Sequence, residues 1–344
     1  MLPASIRDIT PQWLSQALSE RSPGTRVRQV DVVSTLHGSA TKLELRVAYS
    51  APTDLPRSFY LKGGFEEHGH EVGAAYANEA RFYGEWLERL PPIEVPRCYY
   101  AGSDLARGQG IVLLENLAQR GCTFGRADHP LSVEQARDVL SVLGAVHGTS
   151  WGKTEGLAVV HSPAQHVHPF YRAMIEKFLP EGLAHPEIGE KVPRKLQDAD
   201  FFSAKLIELW TTRSPVTCAV HGDAHVGNTY LTPARAAGLL DFQTFGAGNW
   251  AREFTYFAVG SISVDDRRAH LEDLLDHYLA ELVRHGARAP APDEAMHRVR
   301  CNLVHGLFSW VACPLNLQPL EIVKPQADRM AIACEELGAL EAYG

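Results

Sequence analysis

The sequence predicts an α+β chain in two lobes: a strand-rich first lobe carrying one principal helix, and a mainly helical second lobe. Three observations lead there. Alternating, β-branched stretches fill much of the first hundred residues. Apolar residues at helical spacing dominate from Ser132 onward. Between them the character of the chain changes after Glu115-Asn116-Leu117, so the lobes are expected to span 1–116 and 117–344.

Each element has a local reason. Thr10-Pro11 starts a helix, because Thr10 can cap free N–H groups and Pro11 suits the first helical position. Val27 to Tyr49 reads as strand, turn, strand, with the break at Leu36 to Thr41. Ser58 to Lys62 is a third strand, ended by Gly63-Gly64. A helix follows over Glu71 to Leu90, where Tyr76, Ala80, Tyr83, Leu87 and Leu90 keep helical spacing. Arg97 to Ala101 and Gly110 to Leu114 are two more strands. In the second lobe Ser132 and Gln135 form a capping box before a helix whose face is Ala136, Val139, Leu140, Leu143 and His147. A short β island covers Thr217 to Leu231 and Gly238 to Phe242. Three helices are predicted after it, at Asp265 to Arg284, at Asp293 to Val311, and from Gln326.

Composition narrows the function classes. The 344 residues are 45% apolar, enough for a full globular core. The net charge of −8 comes with scattered rather than clustered Lys and Arg, which argues against a nucleic-acid partner. No window is long and apolar enough to span a bilayer, and Met1 to Asp8 lacks the basic-then-apolar layout of a signal peptide. The six cysteines show no paired spacing and read as reduced, mostly buried thiols of a cytoplasmic protein.

The chemistry concentrates in His221-Gly222-Asp223-Ala224-His225-Val226-Gly227-Asn228 and, a little further on, Asp241-Phe242-Gln243. Thr217 to Val220 reads as a buried strand, so Asp223 and Asn228 lie on the loop at its end, where Gly222 and Gly227 allow tight turning. Asp223 suits the acid that orients a substrate hydroxyl for in-line attack. Asn228 and Asp241 suit a magnesium site, which takes few protein oxygens and completes its shell with phosphates. The competing reading is an ordinary Asx turn and a strand-end acid. Lys62 closes an apolar strand, where an ammonium can reach nucleotide phosphates. Glu79 shares a helix face with Phe82, Tyr83 and Trp86, so it points inward and needs a partner, for which Lys62 is the candidate. The turn from His37 to Thr41, with Ser39, is a candidate phosphate-covering loop. Glu115 and Leu117 flank the lobe junction, where backbone groups can read an adenine edge. His225 is a candidate phosphate contact and His221 a hydrogen-bonder under the loop; His68 and His70 read as solvated.

HGDAHVGN followed by LLDFQ resembles the aminoglycoside phosphotransferase and choline kinase superfamily. Gln243 and the opening Asp8 to Leu14 look most like its ecdysteroid-kinase-like branch. Tyr60-Leu61-Lys62, Asn78 to Tyr83, Leu113 to Leu117 and Val142 to Trp151 are similar to the family's lysine strand, glutamate helix, hinge and following helix end. The resemblance implies a protein-kinase-like bilobal fold, a nucleotide-binding first lobe and a catalytic, substrate-binding second lobe. It implies ATP and Mg²⁺ as cofactors, Asp223 as catalytic base, Asn228 and Asp241 as metal ligands, and Lys62 with Glu79 as the phosphate-side ion pair. Two departures stand out. The nucleotide loop lacks several glycines, and Arg252-Glu253-Phe254 stands where relatives usually carry an Asp before an apolar pair, with Glu253 as its substitute structural acid.

The leading expectation is a kinase that moves the γ-phosphate of ATP to a hydroxyl of a small molecule. Trp250, Tyr256, Phe257, Phe308 and Trp310 suggest an acceptor with apolar surface. The rivals are a catalytically silent, nucleotide-binding relative and a metal-dependent hydrolase built on His221, Asp223 and His225.

Overall fold

The computed structural model describes residues 2–37, 40–65, 69–160, 169–212 and 216–343, without the side chains of 69–74. The elements in chain order are α1 (Pro11–Ser19), β1 (Val27–Leu36), β2 (Thr41–Tyr49), β3 (Ser58–Gly63), α2 (Gly69–Arg81), β4 (Cys98–Asp104), β5 (Gln109–Glu115) and β6 (Thr123–Phe124). Then come α3 (Val133–Thr149), α4 (Pro169–Ala173), α5 (Leu179–Ala184), α6 (Ala199–Thr211), β7 (Cys218–Val220), β8 (Thr229–Leu231), β9 (Ala237–Leu239) and β10 (Gly246–Gly248). The chain closes with α7 (Trp250–Ser261), α8 (Val264–Arg284), α9 (Pro292–Val311) and α10 (Leu320–Glu336). These elements form two compact units. The first is Met1–Leu90, Glu94–Thr123 and Thr232–Phe245; the second is Pro91–Ile93, Phe124–Leu231 and Gly246–Gly344.

In the first unit five antiparallel strands lie in the order β1-β2-β3-β5-β4. The alternation in β2 sorts its side chains: Leu43, Leu45 and Val47 face a core, while Lys42, Glu44 and Arg46 face the other way. Register sets Leu43 opposite Leu61, Leu45 opposite Phe59 and Lys42 opposite Lys62. The apolar face packs with Leu14 and Leu18 of α1. As expected, α1 is capped by Thr10, whose side chain accepts the N–H of Trp13 at 3.2 Å.

The helix expected to run to Leu90 departs from α geometry earlier. α2 ends at Arg81, Phe82–Trp86 is a π turn in which the N–H of Leu87 donates to the Phe82 carbonyl, and Leu87–Arg89 is a 3-10 turn. Side-chain packing overrides the regular backbone there. Phe82 stacks on Phe242 at 3.5 Å and 6°, and Trp86 meets Phe245 edge-on at 5.7 Å, tying the helix end to the Thr232–Phe245 segment.

The second unit is built round α7, all twelve residues of which are buried; it packs against α3, α8, α9 and α10. A helix buried all round has no apolar stripe, so periodicity did not single it out. The predicted capping box is present at α3, where Gln135 N–H bonds the Ser132 hydroxyl and Ser132 N–H bonds the Gln135 side chain. α10 begins at Leu320, six residues before the position expected from sequence, with Pro325 inside the helix. Pro325 stands in the second turn, where it lacks the N–H that would bond the Glu321 carbonyl. β7 pairs antiparallel with β10, placing Cys218 opposite Gly248. Among the described residues no helix is long and apolar enough to cross a membrane. The six cysteines are free thiols.

α2 lies so close to β5 that a Cβ at Gly110 would stand 2.1 Å from the carbonyl oxygen of Tyr76. Both partners are backbone and neither can yield locally. Gly110→Ala is expected to cost at least the roughly 1–3 kcal/mol of core overpacking, read as a lower midpoint in thermal or urea unfolding. An unchanged midpoint would contradict this contact.

Candidate active site

The first unit gathers three of the expected site residues. Lys62 is 7% exposed at the end of β3. Its Nζ lies 2.8 Å from Oε2 of Glu79 and 2.7 Å from Oδ1 of Asp241. Burial alone would lower the Lys62 pKa, but the charges of Asp241 and Glu79 outweigh it and leave it raised, so the ammonium stays charged. Glu79 has its pKa raised by burial, in spite of Lys62, and its Oε1 is buried without a hydrogen-bond partner. A fourth member escaped the sequence reading. Lys42 reaches Oδ2 of Asp241 at 3.4 Å. Its signal was the β2 alternation, since residues opposite one another on antiparallel strands share a face.

Asp241 does not continue the strand it follows. β9 stops at Leu239, Asp241 has left-handed backbone at φ 68°, and Phe242–Thr244 is a 3-10 turn. A non-glycine residue in that region costs about 1 kcal/mol and is often retained at functional sites. Phe242, stacked on Phe82, and the Gln243 carbonyl, which accepts from Asn78 Nδ2 at 3.4 Å, hold the turn in place. The donor set fits Mg²⁺ and phosphate: Asp241 offers hard carboxylate oxygens, and two ammoniums stand beside it.

Other expectations in this unit resolve differently. Ser39 lies outside the described residues, as do Gly38, His68 and the His70 side chain. The Glu115 N–H donates to the Arg97 carbonyl, and the Leu117 carbonyl accepts from Cys122 N–H. The Glu115 carboxylate bonds Arg97 N–H and Arg120. Asn116 caps the turn, its Oδ1 accepting from Ala118 and Gln119 and its Nδ2 donating to Ser58.

The second unit holds the HGDAHVGN loop. Gly222 takes φ 88°, and a Cβ at Gly227 would lie 2.8 Å from Cε1 of His225, so both glycines have a steric reason. His221 Nδ1 accepts the Asp223 N–H at 3.3 Å, and His225 Nδ1 accepts the Gly227 N–H at 3.1 Å. Asn228 donates from Nδ2 to the Asp223 carbonyl at 2.9 Å and to its Oδ2 at 3.3 Å. The Asp223 side chain keeps 44% of its surface exposed and lies 3.8 Å from His225 Nε2. Tyr256 hydrogen-bonds Asp223; burial first, then the charge of Asp223, raises the Tyr256 pKa far above its usual value. Of the aromatics expected near an acceptor, Tyr256 and Trp310 stack at 6.0 Å and 16°, and His225 meets Trp310 at 5.1 Å. Trp250 and Phe257 instead belong to the core, Trp250 stacked on Tyr278 at 5.8 Å. Phe308 is also buried, edge-on to Trp210 at 5.9 Å.

Beneath the loop lies Glu253. Its Oε2 accepts from His221 N–H at 2.9 Å and its Oε1 from Gly222 N–H at 2.5 Å. His147 Nε2 is 2.7 Å from Oε2, and His147 Nδ1 is 2.5 Å from the Tyr278 hydroxyl. Burial pushes the Glu253 pKa up; the hydrogen bond and charge of His147, with His221 and the Gly222 N–H, more than offset this and leave it lowered. A carboxylate lowered on folding contributes stability above its unfolded pKa, and that contribution is lost as pH falls through the folded value. Glu253→Gln is therefore expected to cost roughly 3–5 kcal/mol at pH 7. It should also flatten the loss of stability below about pH 4.5. Urea unfolding across pH reads both, and a variant that matches the parent curve would show that the charge does not hold the loop.

Comparison with solved structures returns this architecture. Choline kinase from Streptococcus pneumoniae aligns over 95% of this chain and 98% of its own at 14% identity, with a TM-score of 0.53. The likeness shows a shared protein-kinase-like fold. Macrolide 2'-phosphotransferase from Brachybacterium faecium aligns over 91% and 97% at 17% identity, with a TM-score of 0.46. Comparison with curated proteins gave no match. A sequence model of one family matches residues 66–289, nearly two thirds of the chain, and on that match the chain belongs to the ecdysteroid kinase-like family.

Proposed function

We propose that the protein is an ATP- and Mg²⁺-dependent phosphotransferase acting on a hydroxyl of a small molecule. The observation that carries this reading is Lys62 held between Glu79 and an Asp241 in left-handed backbone. That arrangement keeps a charged donor ready for phosphate oxygens and a strand-end carboxylate ready for a hard cation. Membership of a kinase-like family supports it.

The roles follow from the donor chemistry. Lys62 and Lys42 bind phosphate oxygens. Asp241 and the amide oxygen of Asn228 would hold Mg²⁺, and the ion would supply positive charge against the phosphates. Near Glu115 and Leu117 an adenine would meet only backbone groups not already bonded, since the Glu115 N–H and the Leu117 carbonyl are engaged within the protein. Asp223 accepts the hydrogen bond of the acceptor hydroxyl and takes its proton as the oxygen–phosphorus bond forms and ADP leaves. Asn228, donating to Asp223, fixes that carboxylate.

The hydrolase reading is weaker. Both His221 and His225 commit Nδ1 to a backbone N–H of the loop, so their rings serve its geometry first. Asp223→Ala is expected to lower ATP-dependent phosphate transfer to an alcohol by about 10²–10⁴-fold while Mg-ADP still raises the melting temperature. ADP release in a coupled assay measures the first, and thermal unfolding the second. Transfer that survives Asp223→Ala refutes the assignment, and zinc retained through purification favours the hydrolase.

A further inference from the structure

Three groups of the second unit converge on the Asp223 carboxylate. Asn228 Nδ2 donates to its Oδ2 at 3.3 Å, and His225 Nε2 stands 3.8 Å from the same oxygen. The Tyr256 hydroxyl hydrogen-bonds the carboxylate as well. The last torsion of an aspartate is soft and roughly two-fold, and the Asp223 side chain keeps much of its surface exposed. Packing alone therefore does not decide where its oxygens point; the donors around it do.

Two of those donors are themselves held in place. His225 Nδ1 accepts the Gly227 N–H at 3.1 Å, so that nitrogen carries no proton and the ring's N–H is Nε2, the atom on the Asp223 side. The buried imidazole is edge-on to Trp310 at 5.1 Å and to Tyr256 at 6.1 Å. Tyr256 is buried too, stacked on Trp310 at 6.0 Å and edge-on to His305 at 6.5 Å; His305 Nδ1 in turn accepts from Trp210 Nε1 at 3.2 Å. A Phe would fill that aromatic cluster equally well, so what the hydroxyl adds is a donor to Asp223. Tyr256 also lies three residues after Glu253 on α7, on the same helix face. Glu253 takes the N–H groups of His221 and Gly222, and Tyr256 takes the side chain of Asp223. One helix thus bonds three consecutive residues of the loop, and the third of them is the candidate base.

We infer that Tyr256 and His225 are positioning residues for phosphate transfer: they fix the rotation of the Asp223 carboxylate toward the acceptor hydroxyl, and His225 acts through Asp223 rather than on phosphate. This rests on the assignment of Asp223 to the acceptor hydroxyl. Neither residue touches the transferred group. Their effect is on the aim of the base, where an error of about 1 Å can cost roughly 10²-fold in rate. The 3.8 Å between His225 Nε2 and Asp223 is expected to shorten when the acceptor hydroxyl is bound, as catalytic contacts commonly do.

The test is a set of double-mutant cycles on the intact protein, read as ADP release from Mg-ATP with water as the probe acceptor and, without turnover, as urea unfolding. Tyr256→Phe and His225→Asn are each expected to lower kcat about tenfold, with KM for ATP and Mg-ADP affinity unchanged. Asn keeps an oxygen where Nδ1 caps Gly227 but has no N–H where Nε2 stands. His225→Gln reverses this, so it should recover most of the rate while melting lower than the parent. In an Asp223→Ala background neither substitution should change the residual rate, because both act through that carboxylate. In urea, Tyr256→Phe and Asp223→Ala should be non-additive by about threefold or more in the unfolding constant. Parent-like kcat in both single variants, or losses that persist in full in the Asp223→Ala background, would overturn the inference. So would a His225→Asn protein that loses Mg-ADP affinity, which would make His225 a phosphate contact. Where the parent releases no ADP, additive unfolding effects overturn it. An Asp223→Ala protein that releases ADP as the parent does refutes the base assignment and this inference with it. A strong Asp223→Ala loss beside parent-like Tyr256→Phe and His225→Asn refutes this inference alone.

Discussion

The carboxylate of Glu253 is the constraint on which the second unit's chemistry depends. The residues it joins lie far apart in sequence, 106 positions in the case of His147 and 32 in the case of His221. A carboxylate with no water around it persists only if its lone pairs are filled and its charge is answered. Backbone N–H groups of His221 and Gly222 fill two positions and His147 a third, with Tyr278 fixing the far side of the imidazole. The same bonds that satisfy the charge also set the loop. With two consecutive N–H groups aimed at one carboxylate, Gly222 is driven to φ 88°, and the chain turns so that the Asp223 side chain emerges exposed. Three helices, α3, α7 and α8, thus meet at one buried acid.

The next residue along α7 shows the contrasting case. Glu253 and Arg252 are adjacent, buried and opposite in charge, yet one is bonded by several groups while among the described residues the Nη2 of the other has no hydrogen-bond partner. Their mutual attraction cannot settle both, because the helix turns them to different faces. A fold selected for stability alone would replace Arg252 with an apolar side chain of similar volume, since such exchanges are often neutral or stabilising.

What the sequence made legible was what lies close along the chain. The HGDAHVGN loop, the Ser132 capping box, the Thr10 cap and the strand pair around Lys62 each carry their signal within a few residues, and the structure contains all of them. Lys42 was one inference further away: alternation placed it on a face, but only the register against β3 set it beside Lys62. The π turn at Phe82–Trp86 was not legible, because it arises with packing onto Phe242 and Phe245, some 160 residues later. α7 was missed for the opposite reason. Its burial is uniform, so no stripe distinguishes it; Glu253 was legible as a structural acid only through the family resemblance, and the helix that carries it lies at the centre of its unit.

Some departures from ordinary protein chemistry fall at the candidate groups. Asp241 holds a left-handed backbone, and among the described residues Glu79 leaves one buried oxygen without a hydrogen-bond partner. Each costs free energy that the surrounding packing must supply, and both lie within the Lys62 cluster. In the first unit the opposing charges are nevertheless balanced, since two ammoniums, Lys42 and Lys62, meet two carboxylates, Glu79 and Asp241. A polyphosphate entering that cluster would compete with Glu79 and Asp241 for the two ammoniums, and a cation arriving with it would answer the carboxylate so displaced. The balance of the cluster is therefore a physical reason for an anion to enter together with a cation, and Asp241 is the more exposed of the two carboxylates such a cation would meet.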